Sequence, residues 1–405
     1  MRINTSPKPN YPRQGPSCLL VIITAVVVGI GAYIITNQDE VRDAIIPTPI
    51  PEATRSATEY ALLADYSERD GSLVEAVDYY ETAVRLDATK PEFFIRLIDL
   101  LVETGDPVRA LEVADQASVL APDSDEVWTA VAAAHIANGD RLVNVGDPVG
   151  ASLEYAQSVQ SADNAIALND KNATAYAYKA AGLVLPQDPN NYERAQEAAD
   201  YAVALEPDNA TARLYMAITL ELQGYYPAAR EQYQLGIDAD PTMTDLYIGL
   251  AYNYFGTGST PEAILTFRDA IANDPTNAAA FDGLAYMYLQ LGDMPLAREN
   301  AEQAIELDPN MARAYGRLGE AYFKEFNYDN AIEELETAVQ LYGEPTDLNA
   351  RFFNMLATAY IRKDLALCPQ AAPLFEAVAN TSPFLRDSAL EGLEECRLAA
   401  LGTVP

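Results

Sequence analysis

His135 is the only histidine of the 405-residue chain, and Cys18, Cys368 and Cys396 are its only cysteines. One imidazole and two scattered thiols beyond the first cysteine cannot assemble a zinc or haem ligand set. His135 falls where a large core-facing side chain belongs, and packing is its expected role. The chain also lacks a phosphate-cradling glycine loop, a nucleophile elbow and an EF-hand loop. Acid–base chemistry would therefore fall to carboxylates, of which there are 60 against 26 lysines and arginines. That many acids on helices make close pairs by chance, and none has a motif around it. The expectation is a non-enzyme without cofactor or metal. Asn172, Asn209 and Asn380 open Asn-x-Thr/Ser triplets, which match glycan acceptors.

A formal net charge of −34 repels phosphate backbones and anionic lipid heads, which excludes nucleic acid as a partner. Acidic balance mainly keeps a chain soluble, and a specifically basic partner is the lesser inference.

Whatever these residues do, regularly spaced elements must position them. Pro207, Pro241, Pro275 and Pro309 stand 34 residues apart, each closing a similar segment. Self-similarity at that period marks stacked helix pairs. In 278–311, Phe281, Leu284, Ala285 and Tyr288 share one apolar helix face, and Gly292-Asp293 breaks the helix. Ala297, Ala301 and Ala304 then form the small-residue face of a second helix, which Asp308-Pro309 stops. Small residues let two axes approach, and aromatics fill the space between pairs. The same grammar places Tyr247, Leu250, Ala251, Tyr254, Ala263, Phe267 and Ala270 in 244–277. It places Tyr60, Leu63, Ala64, Gly71, Ala76, Tyr80 and Ala83 in 57–90.

This pattern resembles the tetratricopeptide repeat, with Trp128, the only tryptophan, at the family's opening aromatic position. The resemblance spans roughly 57–384. It implies an all-α, right-handed superhelical solenoid of about nine helix pairs with a concave inner face. The units fall near 57–90, 91–124, 125–172, 173–209, 210–243, 244–277, 278–311, 312–349 and 350–384. Two units exceed the period between Pro122 and Pro207: about 14 extra residues fall around Asp140–Gly150 and about three around Pro186–Asn191. Gly146-Asp147-Pro148-Val149-Gly150 reads as a loop or turn, and an insertion of this kind more often lengthens one helix pair than forms a binding loop. Residues 385–405 read as an amphipathic capping helix and tail, as an open array requires. Cys368 lies in the ninth unit's turn and Cys396 in that helix. A bridge between them, chemically allowed outside the cytoplasm, would stabilise this end by roughly 3 kcal/mol. The alternative is two buried thiols that never meet.

Cys18–Thr36 is a 19-residue run without a charge. At about 1.5 Å per residue it matches a hydrocarbon core of about 30 Å. Arg2, Lys8 and Arg13 precede it, whereas Asp39, Glu40 and Asp43 follow with only Arg42. Positive charge stays inside. The expectation is a cytoplasmic tail (1–17), an uncleaved transmembrane helix (18–36) and a stiff Pro-rich spacer (37–56), with the repeats outside the cytoplasm in the cell envelope. A cleaved signal peptide is the rival, disfavoured because 19 residues exceed the usual signal core of about 7–15.

In the family that the chain resembles, the first helix of each pair lines the inner face. Those offsets give Asp65, Glu68, Asp99 and Glu103 early in the chain. From the fifth unit onward they give the apolar and aromatic stripe Leu214, Ile218, Ile248, Tyr252, Phe255, Tyr286, Leu289 and Phe323, with Phe353 and Ile361 beyond it. Asp282, Arg313, Glu320, Lys324 and Arg351 punctuate the stripe. Such a stripe either marks an interaction surface for an extended peptide or amphipathic helix, the favoured reading, or is largely buried in the superhelix itself by helix tilt. The lysine and asparagine clamp that grips chaperone C-termini in some members is absent, because its asparagine positions hold Asp65, Asp99, Tyr252, Tyr286, Glu320 and Thr358. The reading is a membrane-anchored adaptor with a protein partner and no small-molecule substrate. The second reading is a self-associating structural component of the envelope.

Overall fold

The computed structural model describes residues 18–36 and 55–401. The expected tail at 1–17, most of the spacer at 37–56 and the last four residues lie outside them. Two units separate: 1–56, which holds α1 (Cys18–Thr36), and 57–405, which holds the repeats. In α1 the side chains of Ile22, Ile23, Val26, Val27, Val28, Ile30 and Tyr33 are all more than half exposed. Taken over the residues whose side chains are described, no helix is long and apolar enough to cross a membrane. Over its whole sequence, α1 is 19 residues without a charge.

The second unit is an all-helical repeat solenoid, with no strand among the described residues. Its first pairs are α2 (Ala57–Arg69) with α3 (Leu73–Leu86) and α4 (Pro91–Glu103) with α5 (Pro107–Leu120). There follow α6 (Asp125–Asn144) with α7 (Pro148–Leu168), and α8 (Ala173–Val184) with α9 (Tyr192–Leu205). The central pairs are α10 (Ala210–Leu222) with α11 (Tyr226–Ala239) and α12 (Thr244–Gly256) with α13 (Thr260–Asn273). Next come α14 (Ala278–Leu291) with α15 (Met294–Leu307), and α16 (Ala312–Lys324) with α17 (Tyr328–Tyr342). The last pair, α18 (Ala350–Lys363) with α19 (Cys368–Thr381), is followed by α20 (Arg386–Ala400).

Local chemistry explains the punctuation. Asn172, Asn209 and Asn277 cap α8, α10 and α14, their side-chain oxygens accepting the N–H of Ala175, Ala212 and Ala280 at 2.9, 2.9 and 3.1 Å. Two of the three glycan-type triplets are thus helix starts. At the pair-closing Asp-Pro steps, Asp240 and Asp274 accept the N–H of Thr242 and Thr276, each at 2.9 Å, which turns the chain into the next unit. Between units, aromatics enter recesses left by glycine. Phe267 is fully buried, and a methyl group on Gly283 would stand 2.2 Å from its ring.

The extra residues of the third unit lengthen its helix pair, and of 146–150 only Gly146-Asp147 is turn, because Pro148-Val149-Gly150 open α7. Only 145–147 stand between α6 and α7, which run 20 and 21 residues where most of the other solenoid helices have 13 or 14. Each helix gains about two turns. Their tip then reaches the other deviant segment of the chain, the stretch after α17. A methyl group on Gly146 would lie 2.8 Å from Asn349 Nδ2 and 3.8 Å from atoms of Tyr342 and Thr346. Arg313 Nη1 donates to Asn144 Oδ1 at 3.5 Å. The third unit therefore touches the eighth and its exit turn.

At the C-terminal end a disulfide joins Cys368 to Cys396, with Cα atoms 5.4 Å apart. It ties the start of α19 to α20, whose Ala389, Gly392 and Cys396 are buried.

Candidate functional site

The inner surface of the later units is built on a buried ion cluster. Asp282, on α14, is fully buried and accepts from Arg313 Nε at 2.6 Å and from Arg317 Nε at 2.5 Å. Arg317 Nη2 adds a bond of 3.1 Å. Burial alone would push the Asp282 carboxyl up, but the two guanidiniums override it and hold it below its usual range. Arg317 is itself buried and lies under the Tyr286 ring at 4.3 Å. Glu320 pairs with Lys324 at 3.0 Å, while its other oxygen is buried without a hydrogen bond.

Four expected contact residues are therefore not free. Leu214 and Leu289 are core, and Asp282 and Glu320 are buried polar groups that organise the wall. Phe353 and Ile361 are buried as well. The cause is close packing of successive first helices, which covers offsets that an isolated helix would expose. Ile218, Ile248, Tyr252, Phe255, Tyr286, Arg313, Phe323 and Arg351 remain half-buried, and Lys324 is exposed. Phe255 meets the Tyr286 ring edge-on at 5.4 Å, and Tyr252 meets Phe267 at 5.1 Å.

Arg351 completes the cluster. Its guanidinium lies 4.3 Å from the Phe352 ring and 5.9 Å from Tyr286, with no carboxylate among the described residues in ion-pair contact. Burial and the like charge of Arg317 hold its pKa below the usual arginine value. Reading by offsets missed Arg317, although an arginine where the two preceding units hold Gly249 and Gly283 was the available signal.

The earlier units supply the opposite charge. Asp99 and Asp140 are both pushed up to about 6, first by the enclosing wall; like charge from Glu68 and Asp245 adds to it. Burial followed by Asp274 raises Asp245, and Glu103 also feels Asp274. Asp140, Asp245 and Glu103 still reach water, which softens the penalty. Asp140 binds a proton more readily folded than unfolded, so its contribution to stability falls as pH rises from about 4 through 6. Asp140→Asn keeps an acceptor for the Tyr155 hydroxyl, which now bonds Asp140 at 2.6 Å. The variant is expected to melt roughly 1–2 °C above the parent at pH 7.5, with the gap closing by about pH 4.5. Thermal scans at both pH values check this; a gap that widens on acidification contradicts it.

His135 Nδ1 lies 2.7 Å from Glu154, a packed pair. Among the described residues, no group of three or more His, Cys, Asp or Glu is placed to hold a metal ion.

Comparison with known proteins agrees with this architecture. Tetratricopeptide repeat profiles match residues 69–134 and, separately, 188–244, 248–310 and 284–345, together more than half of the chain. No curated protein matches. Among solved structures, the human IFIT1 dimer with PPP-AAAA is similar in fold at 19% identity and a TM-score of 0.59, covering 84% of this chain and 82% of that one. A tetratricopeptide repeat protein from Parabacteroides merdae ATCC 43184 aligns at 17% identity over 66% of this chain and 99% of its own, with a TM-score of 0.46. Pseudomonas aeruginosa pilF aligns at 18% identity over 55% and 98%, also at 0.46. Repeating helix pairs, their Asn and Asp punctuation and the repeat-profile matches place the chain in the tetratricopeptide repeat family.

Proposed function

We propose that the chain is a non-enzymatic scaffold that docks a segment of a partner protein along the inner face of its fifth to ninth units. The observation that carries this reading is the half-buried row Ile248, Tyr252, Phe255, Tyr286 and Arg351, aromatic anchors with an arginine free of ion pairs. Aromatic and arginine side chains of this kind dominate binding energy at interfaces. Repeats of this family commonly act as interaction scaffolds, which supports the coarse assignment.

The reading includes an anchor. Helix α1, uncharged and with its described apolar side chains open, would sit in a bilayer, with the basic tail inside and the repeats outside the cytoplasm. The disulfide is compatible with that side of the membrane. Protease added to sealed cells is expected to digest the repeats and spare an N-terminal tag; the reverse pattern removes the orientation.

Tyr252→Ala with Tyr286→Ala tests the groove. Partner crosslinking through a photoreactive residue at position 255 should fall at least about tenfold while helical circular dichroism persists. Undiminished crosslinking, or a changed oligomer size alone, favours the self-associating structural role.

A further inference from the structure

The inner wall carries its charge unevenly along one register. The second residue of the first helix is Asp245 in α12, Ala279 in α14, Arg313 in α16 and Arg351 in α18. Acid gives way to base over three steps. Side chains from other units reinforce each end. Asp140, from the long α6, feels the charge of Asp245, and Asp274 adds to that acidic end. One helical turn further along α6, Asn144 touches Arg313. The basic end holds Arg313, Arg317, Arg351 and Lys324 against two carboxylates, Asp282 paired with Arg313 and Arg317, and Glu320 paired with Lys324 and close enough to act on Arg351.

We infer that the occupant of the inner face is an extended partner segment with cationic side chains at one end and a carboxylate at the other, the carboxylate seated at Arg351. This deepens the scaffold reading and rests on it. Adjacent first helices pack about 8–10 Å apart, so three steps span about 24–30 Å. An extended chain covers that in about seven to nine residues at about 3.3–3.6 Å each. The overall charge of −34 argues against a uniformly acidic occupant, which the molecule would repel before it reached the arginines. A uniformly basic one would place a cation on Arg351, beside Arg313 and Arg317. Opposed charges at the two ends satisfy both poles and fix the direction in which the segment lies.

Selection from a displayed library of random 12-residue peptides on the full-length chain in detergent tests this. The parent should enrich Lys or Arg toward one end and Asp or Glu toward the other, seven to nine residues apart. Arg351→Glu should shift enrichment to Lys or Arg at both ends, and a split-charge peptide chosen on the parent should bind it at least about tenfold more weakly. Arg351→Gln, which removes the charge without reversing it, should give an intermediate loss. Enriched peptides without charge segregation, or the same pattern on parent and Arg351→Glu, overturn the inference. If such charge-blind peptides are lost on Tyr252→Ala with Tyr286→Ala, the groove stands and only its polarity falls. Peptides indifferent to those tyrosines remove the groove reading too, and no enrichment at all removes both.

Discussion

Asp282→Ala is expected to cost about 3–5 kcal/mol, the range for stranding a buried charge. The carboxylate is fully buried, and it is the sole ion-pair partner of Arg317, which is itself buried and already has one nitrogen without a hydrogen bond. Removing Asp282 leaves that guanidinium inside the wall with only the Tyr286 face for company, and a ring face of this kind contributes about 0.5–2 kcal/mol. Arg313, half-buried, turns toward water and loses less. Urea denaturation read by circular dichroism gives the cost, and hydrogen exchange places it in α14, α16 and α18. Asp282→Leu with Arg317→Met should recover most of the loss, because the penalty belongs to the stranded charge and not to the pair. A cost under about 1 kcal/mol for Asp282→Ala would mean that water reaches Arg317.

The repeat register was legible because apolar spacing, Gly-Asp breaks and closing prolines recur at one period, and each has a local cause. Asp106, Asp147 and Asp293 each follow a left-handed glycine and cap the second helix of their pair. Gly146-Asp147 is therefore the same signal as Gly292-Asp293, and it marks the turn of the third unit. The polar stretch Asn138-Gly139-Asp140 lies within α6. There Gly139 makes room for the Tyr155 ring, which a methyl group would meet at 2.4 Å.

The inner face was legible by row but not by exposure. Tyr252, Phe255, Tyr286 and Arg351 fall where the offsets place them and stay half-open. Asp282 and Leu289 occupy equivalent offsets and are sealed by the next first helix, a consequence of packing that a single repeat does not contain. Contacts between the third unit and the eighth depend on how the whole array winds, and no local pattern encodes them.

Gly146→Ala measures that long-range contact, and Gly224→Ala is its control. Both glycines sit in the left-handed region, at φ +83° and +85°, so alanine pays the same backbone strain of about 1–2 kcal/mol at either. Around Gly224 there is nothing within 4 Å, whereas a Cβ on Gly146 meets Asn349 Nδ2 at 2.8 Å. Asn349 is buried and cannot swing away cheaply, since its oxygen accepts from Thr346 N at 2.6 Å and its amide donates to the Glu344 carbonyl at 3.2 Å. Displacing it sacrifices both bonds, about 1 kcal/mol each. Gly146→Ala should therefore cost about 3–4 kcal/mol, roughly 2 kcal/mol more than Gly224→Ala, with faster exchange around 342–350. Combining Gly146→Ala with Asn349→Ala should cost less than the two changes summed, since the second removes the atom with which the first collides. Equal costs at the two glycines would show that the third and eighth units do not meet in solution.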